Sequence, residues 1–403
     1  MMVRKITGYA LAIALVVYGT CTVAFAAQNV ANVSQKGSLL VFPRIDTSPV
    51  ANSSAFHDTI VTIGNDYPGE VYVKCYWINR DQEISGFTFR MTANQPVWFR
   101  ASDGAGTGLY DRLGMTFPLQ VAPFFPGDHT TGELKCWAVD DGDTTQIVFN
   151  HLYGSAMIFD PTHRNAFQYH AWSFTARNAG TPGSLVLDGA TNYDACPLYL
   201  TYNFFSKGSS INLPHGEGNA TFLDTSLTLV PCHQDLRQDR FPTCTKAKFD
   251  IWNEDEVKYA NVHQCVKCWF EGYLGNIGKH SGGLGGAKFL YRNLHTIVGR
   301  FRVQGMASTA CKNVFATTDP DGNQVDPCWT DPADTTFQGQ VATPLLGVIA
   351  TEISFDNGAH LGAVTGSPGN TAGAWGPPLD AAKYPVPQIL WAVDEPPSES
   401  PRK

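Results

Sequence analysis

The sequence predicts an all-β protein built from two antiparallel β-sandwich domains joined by long Gly/Pro-rich loops. Only 16% of the 403 residues are charged, which argues against helical bundles and coiled coils. Glycine and proline are abundant, at 38 and 25 residues, and aromatic residues make up 12% of the chain. Short segments of alternating apolar and polar residues recur between turn residues, which is typical of half-buried antiparallel strands.

The N-terminal segment predicts export. Arg4 and Lys5 precede an apolar run, and Ala24 and Ala26 supply the small residues that signal peptidase requires. The apolar run is too short to cross a bilayer. We therefore predict a signal peptide over residues 1–26, a secreted or cell-envelope protein, and no membrane span after cleavage.

Alternation places the individual strands in order along the mature chain. In the segment 87–91, for example, Phe87, Phe89 and Met91 share one face, while the intervening residues are polar. The predicted strands are 38–42, 59–63, 71–78, 87–91, 134–139, 146–150, 167–174, 198–205, 249–252, 297–303 and 347–353.

Two segments of the chain are similar to each other and suggest a domain boundary. Each contains an apolar strand, a turn at Asn65 or Asn253, and a second strand that carries Cys75 or Cys265 among aromatic residues. This similarity suggests two related sandwich domains, although two β-hairpins can also be alike by chance. The predicted domains are an N-terminal sandwich over 27–232, a C-terminal sandwich over 243–355, and a Gly/Pro-rich segment and tail over 356–403.

Three sequence segments made of strand and turn residues resemble segments of known proteins. They are KGSLLVFPRID (36–46), NDYPGEVYVKCYW (65–77) and FDIWNEDEV (249–257). They resemble phrases of uncharacterised exported β-rich proteins of environmental Gram-negative bacteria. The resemblance implies an envelope or extracellular location and a sandwich fold, and it implies no activity, cofactor or catalytic residue.

The cysteines predict disulfides. Ten are present, one of them, Cys21, within the predicted signal peptide. In an oxidising compartment the remaining cysteines are expected to pair. Cys75 and Cys136 occupy similar strand phrases, VKCY and LKCW, and this similarity favours a bridge between them.

Elsewhere, the nearest cysteines in sequence suggest the bridges Cys232–Cys244 and Cys311–Cys328. Each bridge would close a short polar loop. Because the number of mature cysteines is odd, one thiol remains. Cys196, at a predicted strand start before a proline, is the candidate either for a buried inert thiol or for an intermolecular disulfide that links copies of the chain.

One cysteine cluster also has the composition of a metal or redox site. His263, Cys265 and Cys268 form a Cys-x-x-Cys pair with a nearby His, which could bind zinc or cycle as a dithiol. No second such pair supplies the remaining zinc ligands, and the segment has the pattern of a strand. Structural disulfides are therefore the favoured interpretation.

An acidic segment could bind calcium. Its oxygen-bearing residues follow a spacing of 1, 3, 5 and 8: Asp319, Asp321, Asn323 and Asp326. The glycine is at position 4 instead of position 6 of an EF-hand, and position 12 is Thr330 instead of Glu, so a plain Asp-Gly turn is the favoured alternative. The sequence requires no cofactor.

No recognisable catalytic motif is present, and we predict a non-enzymatic secreted protein with a structural or adhesive role. Its expected partners are other copies of itself, other surface proteins or glycans. The net charge of −8 argues against nucleic acid. The alternative is a secreted carbohydrate-binding module or a glycoside-active enzyme that uses acidic residues such as Glu254. The aromatic residues of 167–174 could serve such a protein as a sugar-binding platform, although core packing also explains them.

Overall fold

The computed structural model confirms the all-β, antiparallel fold class. It describes residues 29–108, 120–125, 130–143, 145–162, 165–179, 186–209, 211–212, 219–232, 244–278, 285–306, 309–311, 314, 317–318, 324–325, 343–355 and 360–366. Helical elements within these ranges are short turns at Leu274–Asn276, Gly285–Phe289, Tyr291–Leu294 and Thr309–Cys311. The predicted signal peptide lies outside the described residues.

The strands follow one another in chain order as β1 (Leu39–Asp46), β2 (Asp58–Asn65), β3 (Val71–Asn79), β4 (Ile84–Met91), β5 (Pro96–Arg100), β6 (Gly106–Thr107), β7 (Thr131–Val139), β8 (Leu152–Asp160), β9 (Asn165–His170), β10 (Trp172–Phe174), β11 (Leu200–Phe205), β12 (Ile211–Asn212), β13 (Asn219–Pro231), β14 (Cys244–Trp252), β15 (Lys258–Lys267), β16 (Phe270–Tyr273), β17 (Val298–Met306), β18 (Thr317–Thr318), β19 (Gln324–Val325), β20 (Leu345–Phe355) and β21 (His360–Gly366).

Four larger sheets form in the described part of the chain. Sheet A has the order β10-β1-β7-β3-β4, and sheet B has the order β6-β5-β2-β8-β9. Sheet C has the order β11-β17-β14-β15. Sheet D has the order β12-β13-β20-β21, and β16 also pairs with β13. Strands β18 and β19 form a separate two-stranded ribbon.

Sheets A and B enclose the first core. Because side chains alternate along a strand, every second residue of each sheet points between them. Trp77 is fully buried there, with Phe99 and Phe124 packed edge-on against it at centroid distances of 5.9 and 5.5 Å. Edge-to-face packing of this kind is the favoured geometry for aromatic pairs.

The opposite face of sheet A enters a second core, which it shares with sheets C and D. Leu39, Trp137 and Phe174 come from sheet A, while Phe249 comes from sheet C and Leu229 from sheet D. One contiguous apolar cluster therefore includes residues from both predicted domains. Sheet A contributes to both cores, and the predicted arrangement of two separate sandwich domains is not confirmed.

Strand pairing also differs from the predicted domain boundary. β11 pairs with β17, and β13 pairs with β20 along its length. Strands β11 and β13 therefore pair with strands of the C-terminal half, although both fall within the predicted N-terminal sandwich. Strand β21 pairs with β20 and lies within the segment that was predicted to be Gly/Pro-rich tail.

The two similar segments do not form equivalent structures. Strands β14 and β15 pair as a hairpin. Strands β2 and β3 do not pair with each other, because β2 lies in sheet B and β3 in sheet A. Their likeness therefore does not reflect a repeated structural unit.

Two predicted strands differ from the observed ones. Residues 146–150 form no strand, and the chain enters β8 at Leu152 instead. The predicted strand over 167–174 is divided at Ala171, where the chain passes from sheet B to sheet A. This passage explains why aromatic residues on both sides of Ala171 are buried: Tyr169 lies in the first core and Trp172 in the second.

Candidate ligand-binding cleft

A cleft of about 740 Å³ opens beside sheet B. The N-terminal segment 31–36 forms one wall, and residues 62–64, 153–155 and 170–173 form the others, with Pro96 at the margin. Its size is within the range of small-molecule sites. Residues 62–64, 153–155 and 170–173 belong to or adjoin strands β2, β8, β9 and β10, so this side of the cleft is a rigid part of the fold.

The N-terminal wall is fixed by hydrogen bonds to sheet A and to a buried carboxylate. Gln35 Nε2 donates to the Ser173 carbonyl at 2.8 Å and to Asp194 Oδ2 at 2.7 Å. The Ser173 amide donates to the Asn32 carbonyl at 2.9 Å. The same Asp194 oxygen accepts from the Thr175 amide at 2.9 Å, so one carboxylate ties the wall to the sheet.

The outer face of sheet B carries a row of polar and aromatic side chains that leads into the cleft. Strand register places Trp98 opposite Thr62, Thr62 opposite Ser155, and Ser155 opposite His170. Because neighbouring strands are about 4.8 Å apart, this row spans roughly 14 Å across β5, β2, β8 and β9. The side chain of Trp98 is 38% exposed.

The hydroxyl groups in this row are oriented by a chain of hydrogen bonds. Gln168 Nε2 donates to Ser155 Oγ at 2.7 Å. Thr62 Oγ1 donates to the Ser155 carbonyl at 3.2 Å, and it lies 2.8 Å from Ser155 Oγ. Either hydroxyl can donate in the contact between Thr62 and Ser155, so these two side chains form one hydrogen-bonded pair. Thr62 is itself exposed to solvent.

Tyr153 lies across a glycine on the neighbouring strand. Its partner in the register is Gly64, and a Cβ atom added to Gly64 would lie 2.2 Å from Tyr153 Cζ. The ring therefore occupies the space that any other residue at position 64 would fill. The side chain of Tyr153 remains 47% exposed, so the side of the ring turned away from Gly64 is open to solvent.

The charges near the cleft are balanced by one another. Lys36 forms an ion pair with Asp66, and His151 Nδ1 lies 3.0 Å from Asp66 Oδ1. Tyr67, which is 43% exposed, packs against His151 at a centroid distance of 4.8 Å. Among the described residues that line the cleft there is no Asp, Glu or Cys.

A second polar cluster lies inside the protein, where sheets A, B and D meet. Arg44 Nη2 is 2.5 Å from Glu271 Oε1 and 3.5 Å from Asp46 Oδ2, and Nη1 donates to Ser226 Oγ at 3.1 Å. Burial raises the pKa of the Glu271 carboxyl above its ordinary value, and the Arg44 guanidinium opposes that rise. Burial likewise raises the pKa of the Tyr169 hydroxyl, which donates to the Arg44 carbonyl.

Next to this cluster, the fold brings a serine, a histidine and an aspartate together, as hydrolases do. Ser48 Oγ is 3.2 Å from His57 Nδ1, and His57 Nε2 is 3.6 Å from Asp160 Oδ2. However, Nδ1 also lies 3.1 Å from the Ser48 carbonyl, which only accepts, and Ser48 Oγ donates to Asp46 at 2.6 Å. The network thus assigns the proton to Nδ1, and His57 is not placed to remove a proton from Ser48.

The predicted pair Cys75–Cys136 is present as a disulfide. The two residues lie directly opposite each other on β3 and β7, with Cα atoms 4.1 Å apart. Both side chains are fully buried in the core between sheets A and B. This is the arrangement that their similar strand phrases favour.

The other predicted bridges are corrected by the structure. Cys232 is bonded to Cys196 and not to Cys244. Cys244 is itself in a disulfide, and its partner lies outside the described residues. Cys196 is therefore neither an intermolecular thiol nor an inert free one, and it is buried in the second core.

Cys311 is bonded to Cys265, across 46 residues of sequence. This bridge corrects the predicted Cys311–Cys328 pair, and Cys328 lies outside the described residues. It also removes the predicted metal or redox site, because Cys265 is no longer available as a thiolate beside His263. Cys268 is buried after the end of β15, where Gln82 Nε2 contacts its Sγ atom.

The remaining predicted site residues are the possible calcium ligands and Glu254. Asp319, Asp321, Asn323 and Asp326 lie outside the described residues. Glu254, in the turn between β14 and β15, accepts a hydrogen bond from the Val298 amide at 3.0 Å. Within the described ranges, no group of three or more His, Cys, Asp or Glu side chains has the spacing needed to hold a metal ion.

The sequence does not predict the cleft, because the residues of the cleft come together only through strand register. The one available signal was the alternation in 96–100, which places Trp98 on a polar face. Among the described helices, none is both long and apolar enough to cross a membrane. The sequence matches no model of a known protein family and no curated protein.

Proposed function

We propose that this is an exported structural or adhesive protein of the cell surface or extracellular matrix, which acts by binding and not by catalysis. The cleft beside sheet B is the observation that carries this proposal. The cleft and the face of sheet B that leads into it present hydroxyl groups and the exposed rings of Tyr153 and Trp98 on strands, as binding surfaces do. Exposed aromatic residues that cluster on one face are typical of interaction sites.

The disulfides support an oxidising location. Three bridges lie within the described residues, and all six of their cysteines are buried. Disulfides of this kind form and persist in exported proteins and are rare in the cytosol. Together with the predicted signal peptide, they favour a site of action outside the cytoplasm.

The arrangement of the acidic residues favours binding over hydrolysis. Glu254 is engaged with a backbone amide, and the carboxylates of Asp46 and Glu271 are paired with Arg44 in the interior. A glycoside hydrolase needs two carboxyl groups facing each other across the substrate. The cleft offers no such pair among its described lining residues.

The proposal is tested with the fluorescently labelled mature protein, added back to the cells that produce it. We expect saturable retention on the cell surface or matrix, weakened about tenfold by the double change Trp98→Ala and Tyr153→Ala. Tyr291→Ala is the matched control, because Tyr291 is also an exposed ring, at 41%, but lies in the short helix Tyr291–Leu294 and not on sheet B. Absence of retention, or turnover of a polysaccharide or ester substrate, would overturn the proposal.

A further inference from the structure

The outer face of sheet B combines exposed rings, oriented hydroxyl groups and balanced charge, and this combination selects a class of ligand. We propose that the surface from Trp98 through Tyr153 to His170 binds a neutral polysaccharide chain. This inference rests on the proposed binding function and names its ligand.

The rings provide the apolar part of the surface. Tyr153 is held across Gly64 with one side turned to solvent, and Trp98 is exposed on the same face of the sheet. Sugar rings present one apolar face of C–H groups, which packs against the face of an aromatic ring. Tyr and Trp provide large contact areas and lose little conformational entropy on binding, because each side chain has only two torsions.

The hydroxyl groups provide the polar part. Thr62 lies between Trp98 and Ser155 in the register, is exposed to solvent, and has its Oγ1 atom 2.8 Å from Ser155 Oγ. On the opposite wall, both Gln35 amide hydrogens are used within the protein, but Asn32 Nδ2 donates only one of its two hydrogens, to Gln35 Oε1. Sugar hydroxyls both donate and accept, so they match a wall that mixes hydroxyl and amide groups.

The balance of charge favours a neutral chain. Lys36, the ammonium group in the lining, is already paired with Asp66, and the described lining carries no carboxylate. An acidic polysaccharide would bring charges that have no partner in the cleft, and burying an unpaired charge is costly. The row of side chains spans roughly 14 Å, which suits an oligosaccharide and exceeds a single sugar.

Isothermal titration calorimetry with neutral hexasaccharides of glucose, of N-acetylglucosamine and of mannose tests the inference on the full mature protein. We expect at least one of the three to bind, with affinity lowered about tenfold by Tyr153→Ala and by Trp98→Ala. Tyr291→Ala should leave the affinity unchanged.

Gly64→Ala provides a second test that keeps the Tyr153 side chain. The added methyl group occupies the position of the ring, so the ring must move while its hydroxyl and its chemistry remain. We expect an affinity loss comparable to that of Tyr153→Ala. Thermal unfolding of each variant verifies that it is folded.

The inference fails if none of the three hexasaccharides binds at millimolar concentration, or if binding is the same in Tyr153→Ala, Trp98→Ala and Gly64→Ala as in the wild type. Failure here is distinguishable from failure of the proposed function. If retention on cells depends on Tyr153 but no sugar binds, the ligand of the cleft is a protein, and the adhesive role stands without the polysaccharide.

Discussion

Arg44 and Glu271 form an ion pair that connects β1 of sheet A with β16 of sheet D, with Nη2 2.5 Å from Oε1. The Arg44 guanidinium also lies 5.0 Å from the centre of the Phe167 ring on β9 of sheet B. One side chain thus contacts strands of three sheets. Sheet A contributes to both cores, and Arg44 of sheet A contacts residues of sheets B and D at the same point.

Replacing Arg44 by Met should destabilise the protein strongly at neutral pH. The change leaves the buried Asp46 and the half-buried Glu271 as neighbouring carboxylates without their cation. Breaking a buried pair in this way typically costs about 3–5 kcal/mol. The free energy of unfolding, measured by urea denaturation, tests this. The control is Arg100→Met, whose pair with Asp103 is 42% exposed at both side chains and should contribute about 0–1 kcal/mol. Equal losses in the two variants would contradict the assigned role of Arg44.

Glu271 should give stability a characteristic dependence on pH. Because burial raises its pKa in the folded state, the folded protein binds more protons than the unfolded chain as this carboxyl titrates. Its contribution is therefore complete below the ordinary glutamate pKa of about 4.3 and is lost as pH rises through the folded-state pKa. In Glu271→Gln this decrease in unfolding free energy should be absent, so the unfolding free energy of the variant minus that of the wild type should increase with pH. A difference that stays constant with pH would show that the pKa of Glu271 is not raised in the folded protein.

Asp250 should show the opposite dependence. Burial alone would raise its pKa, but Arg302 Nη2 at 2.5 Å and Lys258 Nζ at 3.2 Å, with Lys248 nearby, lower it below the ordinary value. Its stabilising contribution is present above the unfolded pKa of about 3.9 and is lost as pH falls through the folded-state pKa. We expect Asp250→Asn to lower stability by about 1–2 kcal/mol at neutral pH, because solvent screens the cations.

The prediction is tested by urea denaturation at a series of pH values from neutral to strongly acidic. As pH falls, the unfolding free energy of the wild type should decrease by the contribution of Asp250, and that of Asp250→Asn should not show this decrease. Asp255→Asn is the control, since Asp255 is exposed in the turn that follows the same strand. If the unfolding free energies of Asp250→Asn and of the wild type change in parallel with pH, the three cations do not lower the pKa of the Asp250 carboxyl in the folded protein.

The features that the sequence predicted are those encoded locally. Alternation identified β1, β3 and β7, and the similar phrases around Cys75 and Cys136 identified two strands that lie side by side. Strand β8 was missed because Gly154, Ser155 and Ala156 break the alternation. The bridges Cys196–Cys232 and Cys265–Cys311 could not be predicted, because they depend on contacts between strands and loops far apart in sequence.

The cleft depends even more on long-range structure. Thr62 and Ser155 are adjacent because β2 pairs with β8, although 93 residues separate them. Tyr153 is open to solvent on one side because its neighbour across the strands is Gly64. No periodicity within either segment contains this information, since it arises only when the order and register of sheet B are set.

The disulfide pattern should be recovered by peptide mapping under non-reducing conditions. We expect the three linked peptide pairs Cys75–Cys136, Cys196–Cys232 and Cys265–Cys311. Replacing Cys265 and Cys311 together by Ala should lower the unfolding free energy by about 4 kcal/mol, because the bridge restricts a loop of 46 residues in the unfolded chain. A Cys265–Cys268 or Cys232–Cys244 peptide would contradict the observed strand arrangement.

Gly37 should control how closely the N-terminal wall of the cleft approaches sheet A. Its amide donates to the Leu152 carbonyl at 2.9 Å, and the Leu152 amide donates back at 3.0 Å. A Cβ atom at position 37 would lie 2.5 Å from the Phe174 carbonyl oxygen, which is backbone and cannot rotate away. Gly37→Ala should therefore push the wall outwards and cost about 1–3 kcal/mol.

Hydrogen–deuterium exchange is the measurement for Gly37→Ala, and we expect faster exchange at residues 31–37 than in the wild type. Gly275→Ala is the matched control, because a Cβ atom there would meet only Leu290 Cδ2 and Lys207 Cδ, each at an ordinary contact distance of 3.4 Å. If Gly37→Ala exchanges at the wild-type rate, the wall is not held by this close approach. If exchange rises in that segment and hexasaccharide binding weakens with it, the wall is part of the binding site and not merely its boundary.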